Sequence, residues 1–272
     1  MAGGEKRSRE SVGAMGTPGD DHRHLAKEDS VRGTGQGLPE HPGLGPVASR
    51  RTIQEEVYQR LSHALMTGWF DPGQILTISS LSELFGTSHM PVREALRRLT
   101  AEKALEVVST GSACVPTVSR ARLDDLCNTR IIVEGAAAEL AAPHLTPRDL
   151  RTLERAAADH AQAEEGVYAM MAKNQEFHFT IYRASHLPVL IQLIEALWLR
   201  FGPYLRMLTR HMEPLLQTTD ARIYAKHHYA IINALKKGDT AAVKAHLIED
   251  ITTTQTLLQT LCPTDDQKSS VA

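Results

Sequence analysis

The chain has 272 residues, 42% hydrophobic but only 5% aromatic, enough for a sizeable core that must be aliphatic and rich in alanine. A net charge of −2, from 30 basic and 32 acidic residues, excludes a general polycationic coat, so any nucleic-acid binding must come from a local surface. The three cysteines (Cys114, Cys127, Cys262) match no zinc or redox spacing and point to a reducing compartment. No apolar run reaches the roughly 18 residues of a membrane span, and the charged N-terminus does not read as a secretion signal. The expected location is cytoplasmic, with no membrane partner.

Residues 1–49 are rich in Gly, Pro, Ser and balanced charge, with almost no aliphatic clusters. Such a segment buries too little apolar surface to offset its ordering entropy, and it is expected to be a disordered tail. Helical periodicity begins after Thr52, with Ile53, Val57, Leu61, Ala64 and Leu65 on one stripe ending near Gly68. The turn Asp71-Pro72-Gly73 and the apolar pair Ile75-Leu76 follow. Ser79 or Ser80 is suited to cap a short second helix carrying Leu81, Leu84 and Phe85. Gly86-Thr87-Ser88 breaks it, and a third helix opens with Pro91 in its first turn, where a missing N–H costs nothing. Val92, Ala95, Leu96 and Leu99 form its inner face; Arg93, Arg97 and Arg98 lie outside it. Two β-prone pieces, 105–108 and 113–115, flank a turn. Helix, helix, tight turn, helix and hairpin make a winged helix-turn-helix over residues 50–118, whose third helix enters the major groove.

The string Leu81-Ser-Glu-Leu84-x-Gly86-Thr-Ser88-x-x-Pro91-Val-Arg-Glu-Ala-Leu-Arg-Arg-Leu99 resembles the DNA-binding domain of the GntR family. The resemblance places DNA contacts at Ser88, His89, Met90, Pro91 and Arg93, with Arg97 reaching a phosphate. His89 stands where the family usually has arginine, and Met90 where it has threonine. A neutral imidazole makes one bond where arginine makes a bidentate pair to guanine. Basic and acidic residues are equal in number over 51–120. One reader would therefore bind weakly, and a homodimer on a pseudo-palindromic double-stranded DNA operator is expected.

Residues 119–261 read as about six helices punctuated by Pro143, Pro147, Gly166, Pro188, Pro214 and Gly238, an antiparallel bundle. The fold class is thus mainly α, a winged helix-turn-helix followed by an all-α bundle, with 262–272 a flexible tail. Polar residues on the apolar helices are informative. Asn174 and His178 are spaced i, i+4, as are His246 and Asp250, and His228 lies among Ile231, Ile232 and Leu235. Such residues on facing helices are able to converge on one divalent ion, Zn, Ni or Mn. His160, His211 and His227 are read as ordinary packed or surface histidines.

The bundle resembles the FCD effector domain of the FadR-like GntR subfamily. That resemblance implies a metal held by an Asp four residues before a histidine, plus two later histidines. Here the set is Asn174, His178, His228 and Asp250, with His246 as an alternative one turn earlier. It also implies that Arg130 pairs with the carboxylate of an effector, with Asn174, His178 and His228 beside it. The alternative for Arg130 is a permanent salt bridge to Glu134 or Glu139. His186, Tyr204 and Arg206 are further residues near the implied pocket. The function implied is a ligand-responsive transcriptional regulator, a repressor released by a small organic acid, and not an enzyme. Two alternatives stand beside it: a metal-dependent enzyme using the His/Asp set, and a regulator with a vestigial effector pocket. The enzyme lacks a general base beside the set, a nucleophile motif and a phosphate loop.

Overall fold

The computed structural model describes residues 52–108, 112–162, 166–216 and 224–262. The tail expected at 1–49, the tip of the wing at 109–111 and residues 263–272 lie outside them.

Helix α1 (Ile53–Met66) is capped by Thr52, whose hydroxyl accepts from the Glu55 N–H at 3.2 Å. Its buried stripe is Val57, Tyr58, Leu61, Ser62 and Leu65. Ile53, expected on that stripe, is exposed, because the first turn projects beyond the core. After β1 (Ile75–Leu76), α2 (Ile78–Phe85) is capped by Thr77 rather than by Ser79 or Ser80. The helix starts earlier than periodicity suggests, since Ile78 contributes to its first turn. Gly86, at φ +60°, ends it in the left-handed conformation that a side chain disfavours. Helix α3 (His89–Ala101) buries Val92, Ala95, Leu96 and Leu99, the face its periodicity predicts. Strands β2 (Glu106–Val107) and β3 (Ala113–Cys114) pair antiparallel, Val107 opposite Ala113. β1 adds to the other side of β3, giving the order β1-β3-β2. A two-residue strand is too short to show its alternating pattern in sequence, so β1 was legible only as an apolar pair.

Ser119 caps α4 (Arg120–Ala141), the first helix of the bundle. A 3-10 turn over Ala142–His144 leads to α5 (Pro147–Gln162). Thr146 and Asp149 form a reciprocal capping box there, each accepting the other's N–H. The remaining helices are α6 (Val167–Arg183), α7 (Pro188–Leu215), α8 (Lys226–Lys237) and α9 (Thr240–Leu261). α4 packs on α9 and α7, α5 on α6, and α8 on α9. Pro214, read as a break, lies inside α7, whose last turn continues to Leu215; Pro203 is also internal. Cys262, assigned to the tail, is buried, and its N–H bonds the Leu258 carbonyl. No helix among the described residues is long and apolar enough to cross a membrane.

Helix α7 also holds the reader. Gly202 lies so close to α1 that a Cβ there would meet the Leu65 carbonyl oxygen at 2.6 Å. Gly68, at φ +76°, sits against the Leu205 backbone. Arg206 Nε donates to Asp71 at 2.7 Å, and Arg200 Nε donates to the Glu102 carbonyl at 3.2 Å. The Arg206 guanidinium beside Asp71 holds that carboxyl below its ordinary value. Trp69 stacks on Tyr168 of α6 with ring centroids 4.2 Å apart.

Candidate functional site

The surface expected to read DNA is the start of α3. Ser88 occupies the N-cap but its side chain makes no capping bond, and Ser88, His89 and Met90 are exposed. Pro91 is the third residue of the helix, where its missing N–H leaves no bond unmade. Arg93 is exposed and makes no ion pair among the described residues. Arg97 projects outward and is held by Glu94 at 3.0 Å. Arg98, on the same helix, is half-exposed but tied down: it bridges Glu55 and Glu102 and lies over the Tyr58 ring at 3.5 Å. Burial and the bond to Glu102 push the Tyr58 hydroxyl up to about 12. Arg98 thus braces α3 against α1, and Arg93 is the arginine of α3 that makes no ion pair among the described residues.

Inside the bundle lies a cavity of about 180 Å³, lined from α4, α6, α7, α8 and α9 together with His160 of α5 and Tyr224. His178, His228 and Asp250 converge in this region, with ligand atoms all within 4.8 Å of one another. Asn174 lines the same cavity, one turn before His178. His246 stands apart from the cluster, its Nδ1 3.4 Å from Glu249. His178 Nε2 is 3.2 Å from Asp250 Oδ2, and its Nδ1 is 3.2 Å from the Tyr182 hydroxyl. Tyr182 donates to Glu134, and Glu134 takes two bonds from Arg130, at 2.6 and 3.2 Å. Five side chains therefore run in one buried line from Asp250 to Arg130. The Arg130 guanidinium also lies over Phe201 at 4.4 Å and Trp198 at 5.0 Å. Of the two carboxylates weighed for Arg130, Glu134 takes it; Glu139 pairs with Lys244.

This line sets protonation states. Burial alone would depress Arg130, but the Glu134 carboxylate outweighs it and holds the guanidinium charged. Burial beside Glu134 drives the Tyr182 hydroxyl well above its ordinary value, so it keeps its proton. Because that proton goes to Glu134, the Tyr182 oxygen accepts from His178 Nδ1–H. The lone pair of Nε2 then faces the Asp250 carboxylate, an arrangement that requires a cation there, a proton or a metal. Burial would raise the Asp250 carboxyl, but the His178 bond and the surrounding histidines hold it well below the carboxylate range. Burial drives His228 well below its ordinary value, so its ring is neutral. Phe177 stacks on that ring at 4.0 Å, and its buried Nδ1 has no partner.

These residues fit a divalent ion. Two imidazoles and one carboxylate converge, one imidazole is neutral as a ligand must be, and its Nδ1 is an orphaned buried atom. His178, His228 and Asp250 would hold the ion, with the Asn174 amide beside them. A bound ion would supply Lewis-acid attraction for an anionic head.

Several lining residues lay beyond the sequence reading. His160 and His227, read as ordinary, both face the cavity. Trp198 was not singled out, yet its ring lies against His178 and Arg130 and its buried Nε1–H has no partner. Tyr182 is i+4 from His178, the one signal that spacing offered. Tyr204 instead bonds the Ser119 backbone, Arg206 faces Asp71, and His186 packs its ring edge on His144.

A winged helix that exposes the start of its third helix, joined to a bundle with an internal polar cavity, defines a ligand-responsive DNA-binding transcriptional regulator. Residues 53–115 match the gntR family of bacterial regulatory proteins, and residues 125–253 match the FCD domain. The chain is 33% identical over 210 residues to the HTH-type transcriptional regulator McbR of Escherichia coli (strain K12), covering 76% of this chain and 93% of that one. The solved structure of E. coli McbR/YncC superposes with a TM-score of 0.73 at 31% identity, over 78% of this chain and 99% of that chain. A GntR regulator from Rhodococcus sp. RHA1 shares the fold at a TM-score of 0.58 and 18% identity, over 75% of this chain and 96% of that chain. This chain belongs to the GntR family and carries an FCD effector-binding domain.

Proposed function

We propose that the protein is a cytoplasmic homodimeric repressor that leaves a pseudo-palindromic operator when a small organic acid enters the bundle cavity. A divalent ion on His178, His228, Asp250 and Asn174 orders the acid's head in this reading. The observation that carries it is the position of α7. Trp198, Phe201, Leu205, Leu208 and Met212 line the cavity. Arg200, Gly202 and Arg206 of the same helix meet the reader. A ligand that shifts α7 therefore moves the two readings heads relative to each other only through its differential affinity for the two arrangements. The cluster serves here as a binding site and not as a catalytic one. Ser88, His89, Met90, Pro91, Arg93 and Arg97 form the DNA-reading set.

A mobility-shift assay on DNA upstream of the protein's own gene tests this reading. A specific, salt-sensitive shift is expected, abolished by Arg93→Ala, with zinc or manganese present in protein purified without chelator and lost from His228→Ala. No specific shift on any genomic fragment would sink it.

A further inference from the structure

A second hollow, of about 480 Å³, lies between the reader and the bundle and shares no lining residue with the helical cavity. One wall is α1 with Arg98 of α3, and the other is α6 with α7. Its size falls within the roughly 300–1,000 Å³ of small-molecule sites. Most of its polar side chains are already tied to protein partners. Arg98 is held by Glu55 and Glu102, and Lys173 by Asp159 and Glu176. Gln175 joins His63 and the Met66 sulfur, each at 2.9 Å. Two groups of opposite charge remain. Among the described residues, the Glu195 carboxylate of α7 makes no hydrogen bond or ion pair, and the Arg183 guanidinium makes no ion pair. Arg183, the last residue of α6, stands exposed with its guanidinium 5.3 Å from the Phe179 ring centre, whereas Glu195 is partly buried. Burial pushes the Glu195 carboxyl above its ordinary value, and Arg183 draws it back without closing on it.

An anion drawn to Arg183 meets Glu195 as a like charge, and a cation drawn to Glu195 meets Arg183 in the same way. A neutral molecule leaves both charges unpaired. A molecule carrying both signs satisfies the two together. Met66, Phe179 and Leu199, all buried, add an apolar surface to the same hollow. We propose that this hollow is a second small-molecule site, at the junction of reader and bundle, and that its ligand is a free α-amino acid. The ammonium lies against Glu195, the carboxylate accepts from Arg183, and the side chain runs along Met66, Phe179 and Leu199. The occupant spans the two halves of the molecule, since its walls belong to both.

Calorimetric titration of the full chain with L-leucine, L-methionine and L-phenylalanine tests the proposal, and saturable binding of at least one of them is expected. For leucine, isoamylamine and 4-methylpentanoate keep the side chain and one charge each. In competition each should displace leucine at least about tenfold less well than leucine itself, the loss of one charge-assisted contact. Glu195→Gln and Arg183→Met remove the two protein charges at the edge of the hollow, where neither supports the core. Both variants are expected to melt cooperatively and to bind the amino acid about tenfold more weakly or not at all. Failure of all three amino acids to bind overturns the proposal and leaves Arg183 and Glu195 as solvated surface charges. Displacement by the amine or the acid as effective as that by leucine overturns the zwitterion. Binding unchanged in both variants overturns the site, since it moves the ligand elsewhere on the molecule. None of these readouts requires an operator, so the proposal stands or falls apart from the mobility-shift assay.

Discussion

Arg130 and Glu134 meet inside the bundle on one buried stripe of α4, with Leu123, Leu126, Cys127, Ala137 and Ala138 above and below them. Removing a charge from water is expensive, and the pair persists because each partner compensates the other and Tyr182 gives Glu134 a third hydrogen bond. The asymmetry that follows is testable by urea unfolding. Glu134→Ala leaves an uncompensated guanidinium and is expected to cost about 3–5 kcal/mol, while Arg130→Met with Glu134→Leu recovers most of that loss. Equal destabilisation by the single and the double change would show that the pair is not acting as a unit. At this scale the sequence identifies residue types and offers both answers for Arg130, an effector or a neighbouring carboxylate. Only the rotation of α4 against α6 and α7 decides between them. His228 and Asp250 were legible as inward residues because each interrupts an apolar stripe. Trp198, His160 and His227 were not, since an aromatic or a histidine on a mixed helix has many ordinary uses and its convergence on a cavity is a property of six helices together.

Helix α7, with α6 beside it, joins the two halves of the molecule, and the sequence of α7 carries the reason. Gly202-Pro203 lies midway along 28 residues: the glycine admits the α1 backbone, and the proline frees the Leu199 carbonyl from its helical bond. Two glycines in helices separate close packing from mere tolerance. Gly202→Ala places a Cβ 2.6 Å from the Leu65 carbonyl, a backbone atom that cannot swing away, and should cost about 1–3 kcal/mol while altering operator affinity. Gly135→Ala meets only side chains, Ile248 at 3.5 Å and Lys244 at 3.7 Å, ordinary contact, and should stabilise by about 0.5–1 kcal/mol through helix propensity. Thermal melting of the two variants checks the contrast; a neutral Gly202→Ala would mean that the α1–α7 contact yields easily. Periodicity found every helix of the reader and the inner face of α3, where apolar spacing is strong. It missed the Thr77 cap and the third strand, which are decided over two or three residues, and it read Pro214 as a break because a proline near a helix end looks the same in sequence on either side of the boundary.

For the whole molecule, the near-neutral composition bears directly on how DNA is held. Of the three arginines on α3, Arg98 is bound into the reader by Glu55 and Glu102, and Arg97 is shared with Glu94. Arg93 alone among them makes no ion pair with the described residues. In the proposed dimer, Arg93 and Arg97 of each protomer would bring about four cations to the phosphates. Counterion release then predicts a plot of log affinity against log salt with a slope near −3.6, or roughly a hundredfold loss of operator affinity between 50 and 200 mM salt. In the proposed reading, base contacts from His89 and the exposed Met90, the latter against a thymine methyl, would supply the remainder of the selectivity. The measurement is operator affinity across a salt series for wild type and Arg93→Ala, with the slope of the variant reduced by about two because each protomer loses one phosphate contact. A wild-type slope twice as steep would assign the additional cations to further basic residues, the exposed Arg98, Lys103 and Arg120 or the Lys6, Arg7 and Arg9 of the first 51 residues.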